Sequence, residues 1–298
     1  MRWVREYEPR PEEGKLYRRA IIITIVGNVV LASVKAYTAW ISGSVAIYSD
    51  AANSISDVLY SLLMVLGLWV AQRPPDMSHP QGHSRFEPLV GLVVSLSMSF
   101  AGYEAIRTSI QRFIEGGVAV EPGLPTLVLL FSAATKTGMF FAIRKIANQL
   151  ISPTLETSSK DNLSDVLTSI AAFIGALGSK YIAPLMDPIA GILVALWIFR
   201  AAFGAIKENL KFLTGGGASE ELRHEIITAV ETVPGVIRVH HLMTDYAGPR
   251  LVADMHVNVD GDTPLREAHR ITDEIIEKVS EFREIDRVYV HLEPDDWE

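Results

Sequence analysis

Apolar residues fall in six long runs over the first two thirds of the chain, after which their spacing changes. The runs lie near 19–41, 45–71, 87–110, 123–147, 157–179 and 184–206. Each is close to the about 20 residues that a helix needs to cross a hydrocarbon layer roughly 30 Å thick. Six membrane-spanning helices are therefore predicted over 19–212, preceded by an N-terminal arm, 1–18. Polar residues interrupt the runs: Asn28 and Lys35 in the first, Asn53 and Asp57 in the second, Lys136 in the fourth. These give the first two spans a lipid face and a buried polar face. In the third, Glu104 and Arg107 stand at i, i+3 and are expected to pair. Thr214-Gly-Gly-Gly217 then reads as a hinge, and 213–298 as a small α+β domain of order α-β-β-α-β. Its predicted elements are a helix from Ser219 to about Thr232, strands at 236–244 and 251–259, a helix capped by Thr263-Pro264 and ending near Phe282, and a strand at 287–293. Alternation turns Leu251, Ala253, Met255 and Val257 toward the helices and leaves Asp254 and His256 on the other face. Likewise Val288, Val290 and Leu292 point inward, leaving Tyr289, His291 and Glu293 outside.

Composition sharpens this picture. With 298 residues, 49% apolar, and a positive mean hydropathy, the chain is too hydrophobic for an ordinary soluble protein and too charged at its ends for a membrane-only one. There is no cysteine, so disulfides and thiolate metal sites are excluded, and any metal must be held by oxygen and imidazole. The formal charge of −8 argues against a nucleic-acid partner. The N-terminus is rich in proline and charge and does not resemble a cleavable signal peptide. Lys and Arg cluster in the N-terminal arm, in the second-to-third and fourth-to-fifth connections, and after the sixth span. Because basic residues stay cytoplasmic, both termini are expected in the cytoplasm.

Candidate chemistry centres on Asp161-Asn-Leu-Ser-Asp165 in span five and Asn53-Ser-Ile-Ser-Asp57 in span two. Helical positions i and i+4 lie on one face, so each motif aims two oxygen-bearing side chains in one direction. Spans two and five packed face to face would supply four metal ligands. Acids within a membrane are costly unless they face the protein interior or water, which favours a functional role. The structural alternative is that these acids pair with Lys160 or Lys136 and only stabilise helix packing. A second cluster, Asp76, His79 and His83, lies in the connection between spans two and three, where it can hold a divalent ion or remain a solvated loop. Five of the eight histidines, His240, His241, His256, His269 and His291, fall in the C-terminal domain and favour a further metal site there.

These motifs resemble those of the cation diffusion facilitators, a family of proton-coupled divalent-metal exporters, over nearly the whole chain. The resemblance rests on Ser49-Asp-Ala-Ala-Asn-Ser-Ile-Ser-Asp57, His79-Pro-Gln-Gly-His-Ser-Arg-Phe-Glu87, Asp161-Asn-Leu-Ser-Asp165, Asp187-Pro-Ile-Ala-Gly191 and the α+β domain. It implies a homodimer with a transport site at Asn53, Asp57, Asp161 and Asp165 and alternating access driven by the proton gradient. It also implies a loop metal site at Asp76, His79 and His83. A dimer-interface site in the cytoplasmic domain is implied at His240, His256, His269, His291 and Glu293. Zinc-transporting members usually carry imidazole where Asp161 stands, and His or Asp where Asn53 stands. An oxygen-only site shifts the balance toward Mn²⁺, with Fe²⁺ next and Zn²⁺, Co²⁺ or Cd²⁺ as the alternative. Lys211 stands where an acid would complete a charge interlock with Arg85.

The expected activity is transport, not catalysis, at the cell (plasma) membrane, with divalent cations and protons as partners and no resident cofactor. With no histidine in either motif, the carboxylates must carry the exchanged protons, since acids so close cannot all ionise without a cation between them. Asn53 adds a carbonyl oxygen without charge. A nucleotide-driven pump would need a phosphate-binding loop, and Thr214-Gly-Gly-Gly217 is not followed by Lys-Ser/Thr. The alternatives from other classes are a membrane-anchored metal sensor and a hydrolytic membrane enzyme.

Overall fold

A computed structural model describes residues 3–5, 10–42, 45–117 and 123–295, with the side chains of 42, 45–50, 52, 53, 124 and 125 outside the description. Two compact units result, Met1–Asn209 and Leu210–Glu298.

The first unit holds six long helices: α1 (Pro11–Ser42), α2 (Val45–Ala71), α3 (Phe86–Ile114), α4 (Leu124–Leu150), α5 (Pro153–Tyr181) and α6 (Met186–Leu213), the last running across the boundary. All six are long and apolar enough to cross a membrane. Most outrun the predicted spans, because the hydrophobic run reports only the stretch that meets lipid, while a helix continues into polar sequence. Thus α1 takes in residues 11–18 of the expected arm. Lipid and polar faces separate as the helical period requires. On α2, Leu59, Leu62, Leu63 and Leu66 are exposed while Ser54 and Ser61 are buried. Buried Asn28 of α1 donates to Ser61 Oγ at 2.7 Å, joining the polar faces of the first two helices. Gly27 allows α1 and α4 to approach so closely that an added Cβ would lie 2.4 Å from Met139 Sδ.

The polar face of α5 can be buried because its side chains return to their own backbone. Thr157 Oγ1, Ser164 Oγ and Asn162 Nδ2 donate to carbonyls four residues earlier, at 2.9, 3.0 and 2.9 Å. Ile151, at φ 54°, adopts the left-handed conformation, rare for a β-branched residue, and so lets α4 turn directly into α5. Ser152 caps α5 by accepting from Leu155 N at 3.2 Å, ahead of Pro153 in the first turn. Among the described residues the extensive helix pairs are α4–α5, α1–α2, α1–α4, α3–α5 and α2–α3. The face-to-face packing of spans two and five expected from the sequence is not among these extensive pairs; α4 lies along α5, and α1 touches both α2 and α4.

The second unit has the order α7 (Glu220–Val230), β1 (Val236–Tyr246), β2 (Leu251–Val259), α8 (Leu265–Ser280) and β3 (Ile285–Pro294). Strand β2 is central, antiparallel to β1 and parallel to β3, with α8 as the crossover that parallel pairing demands. Leu251, Ala253, Met255 and Val257 are fully buried against Ile226 and Val230 of α7 and Ile271, Ile275 and Val279 of α8. Ser219 caps α7 through Leu222 N at 3.2 Å. Thr263 does not cap α8. Pro264 takes the cap position with no side-chain acceptor, and the backbone N–H of Thr263 is spent on Asp260 O at 3.0 Å.

Candidate metal sites

In the membrane unit, Asp57 of α2 and Asp165 of α5 converge on Lys136 of α4. Lys136 is 2% exposed; its Nζ lies 2.6 Å from Asp165 Oδ2 and 3.5 Å from Asp57 Oδ2. Asp165 Oδ2 is hidden from solvent and, among the described residues, accepts no well-directed hydrogen bond, so its link to the ammonium is an ion contact. Asp161 is close enough for its charge to act on Lys136, and buried Lys35 of α1 acts on Asp57 in the same way. Asn53 lies in α2 with its side chain outside the described residues. Among the described residues the oxygens of Asp57, Asp161 and Asp165 do not gather within 4.8 Å of one another, as the ligand atoms of the two clusters below do. Lysine pairing, the structural alternative for these acids, is thus present through Lys136. Lys160 instead pairs with Glu208 at 2.6 Å and Glu156 at 3.2 Å. Among the described residues Arg85 makes no ion pair, and Lys160–Glu208 ties α5 to α6. Glu104 and Arg107 pair at 3.5 Å on the exposed surface.

Asp76, His79 and His83 do come together. Ser78 N and His79 N donate to Asp76 Oδ1 at 2.9 and 2.7 Å, fixing the carboxylate, and these bonds, led by that of His79, hold its carboxyl below the usual range. Gly82, at φ +96°, supplies the left-handed turn that folds His83 back. His83 is 6% exposed, and its Nδ1 faces Pro74 O at 3.1 Å, so Nδ1 carries the proton and donates. In the neutral ring Nε2 then turns its lone pair toward Asp76 Oδ2 at 3.4 Å, a geometry that either a cation between them or a proton on Nε2 satisfies. The second ring, His79, lies 4.4 Å from the first by centroids.

The cytoplasmic domain repeats this logic on the sheet face opposite α7 and α8. His256 stands across from His241 on β1 and His291 on β3. A register shift between Val239 and His241 frees His240 from strict alternation, so it reaches the same side. The amide of buried Asn258 is oriented because Nδ2 donates to Pro294 O at 3.2 Å, while Oδ1 accepts from Arg238 Nε at 3.0 Å. Oδ1 also accepts from His240 Nδ1 at 2.9 Å, which orients the ring with Nε2 toward Glu293 Oε2 at 3.1 Å. His256 Nδ1 lies 2.9 Å and His291 Nε2 3.4 Å from Glu293 Oε1. His240, His256 and Glu293 form a set able to hold an ion, with His291 beside it. His269 stands apart on α8, 3.8 Å from Asp273.

Two contributors were not assigned to a site from the sequence. Lys136 was named only as a structural partner for the acids, as an alternative to Lys160, and Asn258 carried no signal beyond being polar in an apolar strand. A third buried group, Glu87, accepts from Tyr17 at 2.8 Å and from Ser152, while Thr154 donates to its carbonyl. Those bonds fasten α3 to α1 and to the start of α5.

Residues 21–214 match the family described as the cation efflux transmembrane domain, and residues 218–295 the cation efflux protein cytoplasmic domain. An uncharacterized transporter of Methanocaldococcus jannaschii is 32% identical, covering 92% of this chain and 97% of its own. The manganese efflux system protein MneS of Bacillus subtilis is 26% identical over 96% of this chain and 98% of its own. The magnetosome protein MamM of Magnetospirillum gryphiswaldense is 29% identical over 89% and 85%. Six apolar helices followed by an α+β domain, both matched in register by this family, make the chain a multi-pass divalent metal cation efflux transporter of the cation diffusion facilitator family.

Proposed function

We propose that the chain exchanges a divalent cation for protons at Asn53, Asp57, Asp161 and Asp165, with Mn²⁺ favoured and Fe²⁺ next. The observation that carries this reading is the convergence of Asp57 and Asp165, from two different helices, on one buried positive charge. Acids placed to embrace an ammonium are placed to embrace a metal. All eight histidines lie outside the six long helices, so the site offers oxygen ligands, which lack the nitrogen preference that helps hold zinc. The resemblance to MneS, named for manganese efflux, supports the same ion. Protons are carried by the acids themselves: a metal arriving from the cytoplasm displaces them, and protons from outside displace the metal. The protein acts as a homodimer at the cell membrane with both termini in the cytoplasm, and the loop and domain clusters bind metal outside the transport path. A membrane-anchored sensor would have no use for ligands in separate spans. Mn²⁺ uptake into proteoliposomes is the test. Uptake that follows an imposed pH gradient and collapses with a protonophore is expected, and uptake indifferent to the gradient would refute the exchange.

A further inference from the structure

Lys136 is the one buried cation in contact with two of the proposed ligands among the described residues. We propose that its ammonium is a built-in competitor of the transported metal: it bridges Asp57 and Asp165 when no metal is bound and returns to them as metal leaves, so assisting release. This rests on the assignment of the transport site made above.

Three observations support it. First, the ammonium and a divalent ion need the same oxygens, since Oδ2 of Asp165 and Oδ2 of Asp57 both face Nζ. Two cations cannot share those oxygens without repelling each other. Second, the spacing about Nζ is uneven, 2.6 Å to Asp165 Oδ2 and 3.5 Å to Asp57 Oδ2, so an ion in its place would not reach both acids. Asp57 Oδ2 lies 3.5 Å from Nζ, whereas divalent ions take carboxylate oxygens at roughly 2.0–2.6 Å. Metal binding must therefore evict the lysine and draw the acids inward. Third, the residue suits the task. Lysine is a compact charge on a flexible stem, able to swing away from its partners, while arginine's planar fork would grip the carboxylates. Buried without its partners, Lys136 would be an uncompensated charge, which supplies the drive for its return.

A binding-competent fraction reduced by the lysine raises the apparent metal constant in proportion, so removing the competitor should lower KM by about tenfold if the bridge holds nine parts in ten of the empty site. The experiment measures Mn²⁺ flux in proteoliposomes for the parent, Lys136→Met, Lys136→Arg and Asp57→Ala. Flux is the readout because metal held by the cytoplasmic clusters does not contribute to it. Lys136→Met is expected to show the lower KM together with a lower maximal rate, since release slows; Lys136→Arg, which keeps the charge, should show a KM at or above the parental value. A folded Lys136→Met with unchanged or higher KM, or with a maximal rate at or above parental, would overturn the proposal. A purely structural lysine would reduce the amount of folded protein and leave KM where it was. If Lys136→Met does not insert as a folded protein, Lys136→Gln, polar but uncharged, carries the same expectation and the same refutation. Asp57→Ala separates the two levels: parental flux there defeats the site assignment itself, whereas background flux with no tightening in Lys136→Met defeats only the competitor.

Discussion

In the membrane unit, Asp57 and Asp165 meet a lysine that offsets one of their two charges; in the cytoplasmic domain, Glu293 meets His240, whose far nitrogen is pinned by Asn258 so that its near nitrogen faces the carboxylate. The first arrangement is provided with a cation of its own, and the second is arranged to wait for one. The donor atoms differ in the same sense, oxygen within the helices and imidazole outside them. On the proposed assignment the membrane acids form the transport site, which has to let go of what it binds, so an internal rival and hard oxygen ligands suit it. A site that reports metal gains from preset ligands and from imidazole, which holds borderline ions well.

The largest effects should come from the membrane acids. Asp57→Ala and Asp161→Ala are each expected to reduce Mn²⁺ flux to background in proteoliposomes while the protein still elutes as a folded dimer, because one ligand is lost and like-charge repulsion falls. Parental flux in both would erase the distinction between the two regions. Next, Asp161→His places one imidazole in the oxygen site without changing the helix spacing, and should raise Zn²⁺ flux relative to Mn²⁺ in competition assays. An unchanged ratio would mean that ligand type does not separate the sites. On the cytoplasmic side, Asn258→Ala should weaken metal binding by about tenfold through loss of the His240 orientation, and His256→Ala by more, both measured by calorimetry on the full chain and both with Mn²⁺ flux retained. The smallest effect is expected from Glu104→Gln. Its exposed pair with Arg107 is worth under about 0.5 kcal/mol, so thermal unfolding should not shift measurably.

How far the chain could be read depended on whether a feature was local. The six spans follow from runs of apolar residues, and the inward set of β2 from alternation; Leu251, Ala253, Met255 and Val257 are all fully buried. The acids of spans two and five were visible because membrane charges are expensive. Their partner was not fixed by any local rule. Lys136 is distant from both in sequence, and only the packing of α4 against α5, with α1 bridging α2 and α4, brings it between them. The same limit explains His240 and Asn258. Strict alternation sets His240 apart from its neighbours, and the register shift between Val239 and His241 turns it back toward Glu293. Thr263 failed as a cap for a local reason, since Pro264, which has no side-chain acceptor, takes the cap position and leaves Thr263 one residue outside it.

The difference between the two regions reduces to which of them carries flux and what drives it. Gradient-driven Mn²⁺ uptake measured side by side in the parent, Asp57→Ala and His256→Ala decides this. Uptake is expected to follow the pH gradient in the parent and in His256→Ala and to vanish in Asp57→Ala. Uptake that persists in Asp57→Ala, or that vanishes in His256→Ala while a folded protein remains, would contradict the assignment of transport to the membrane acids.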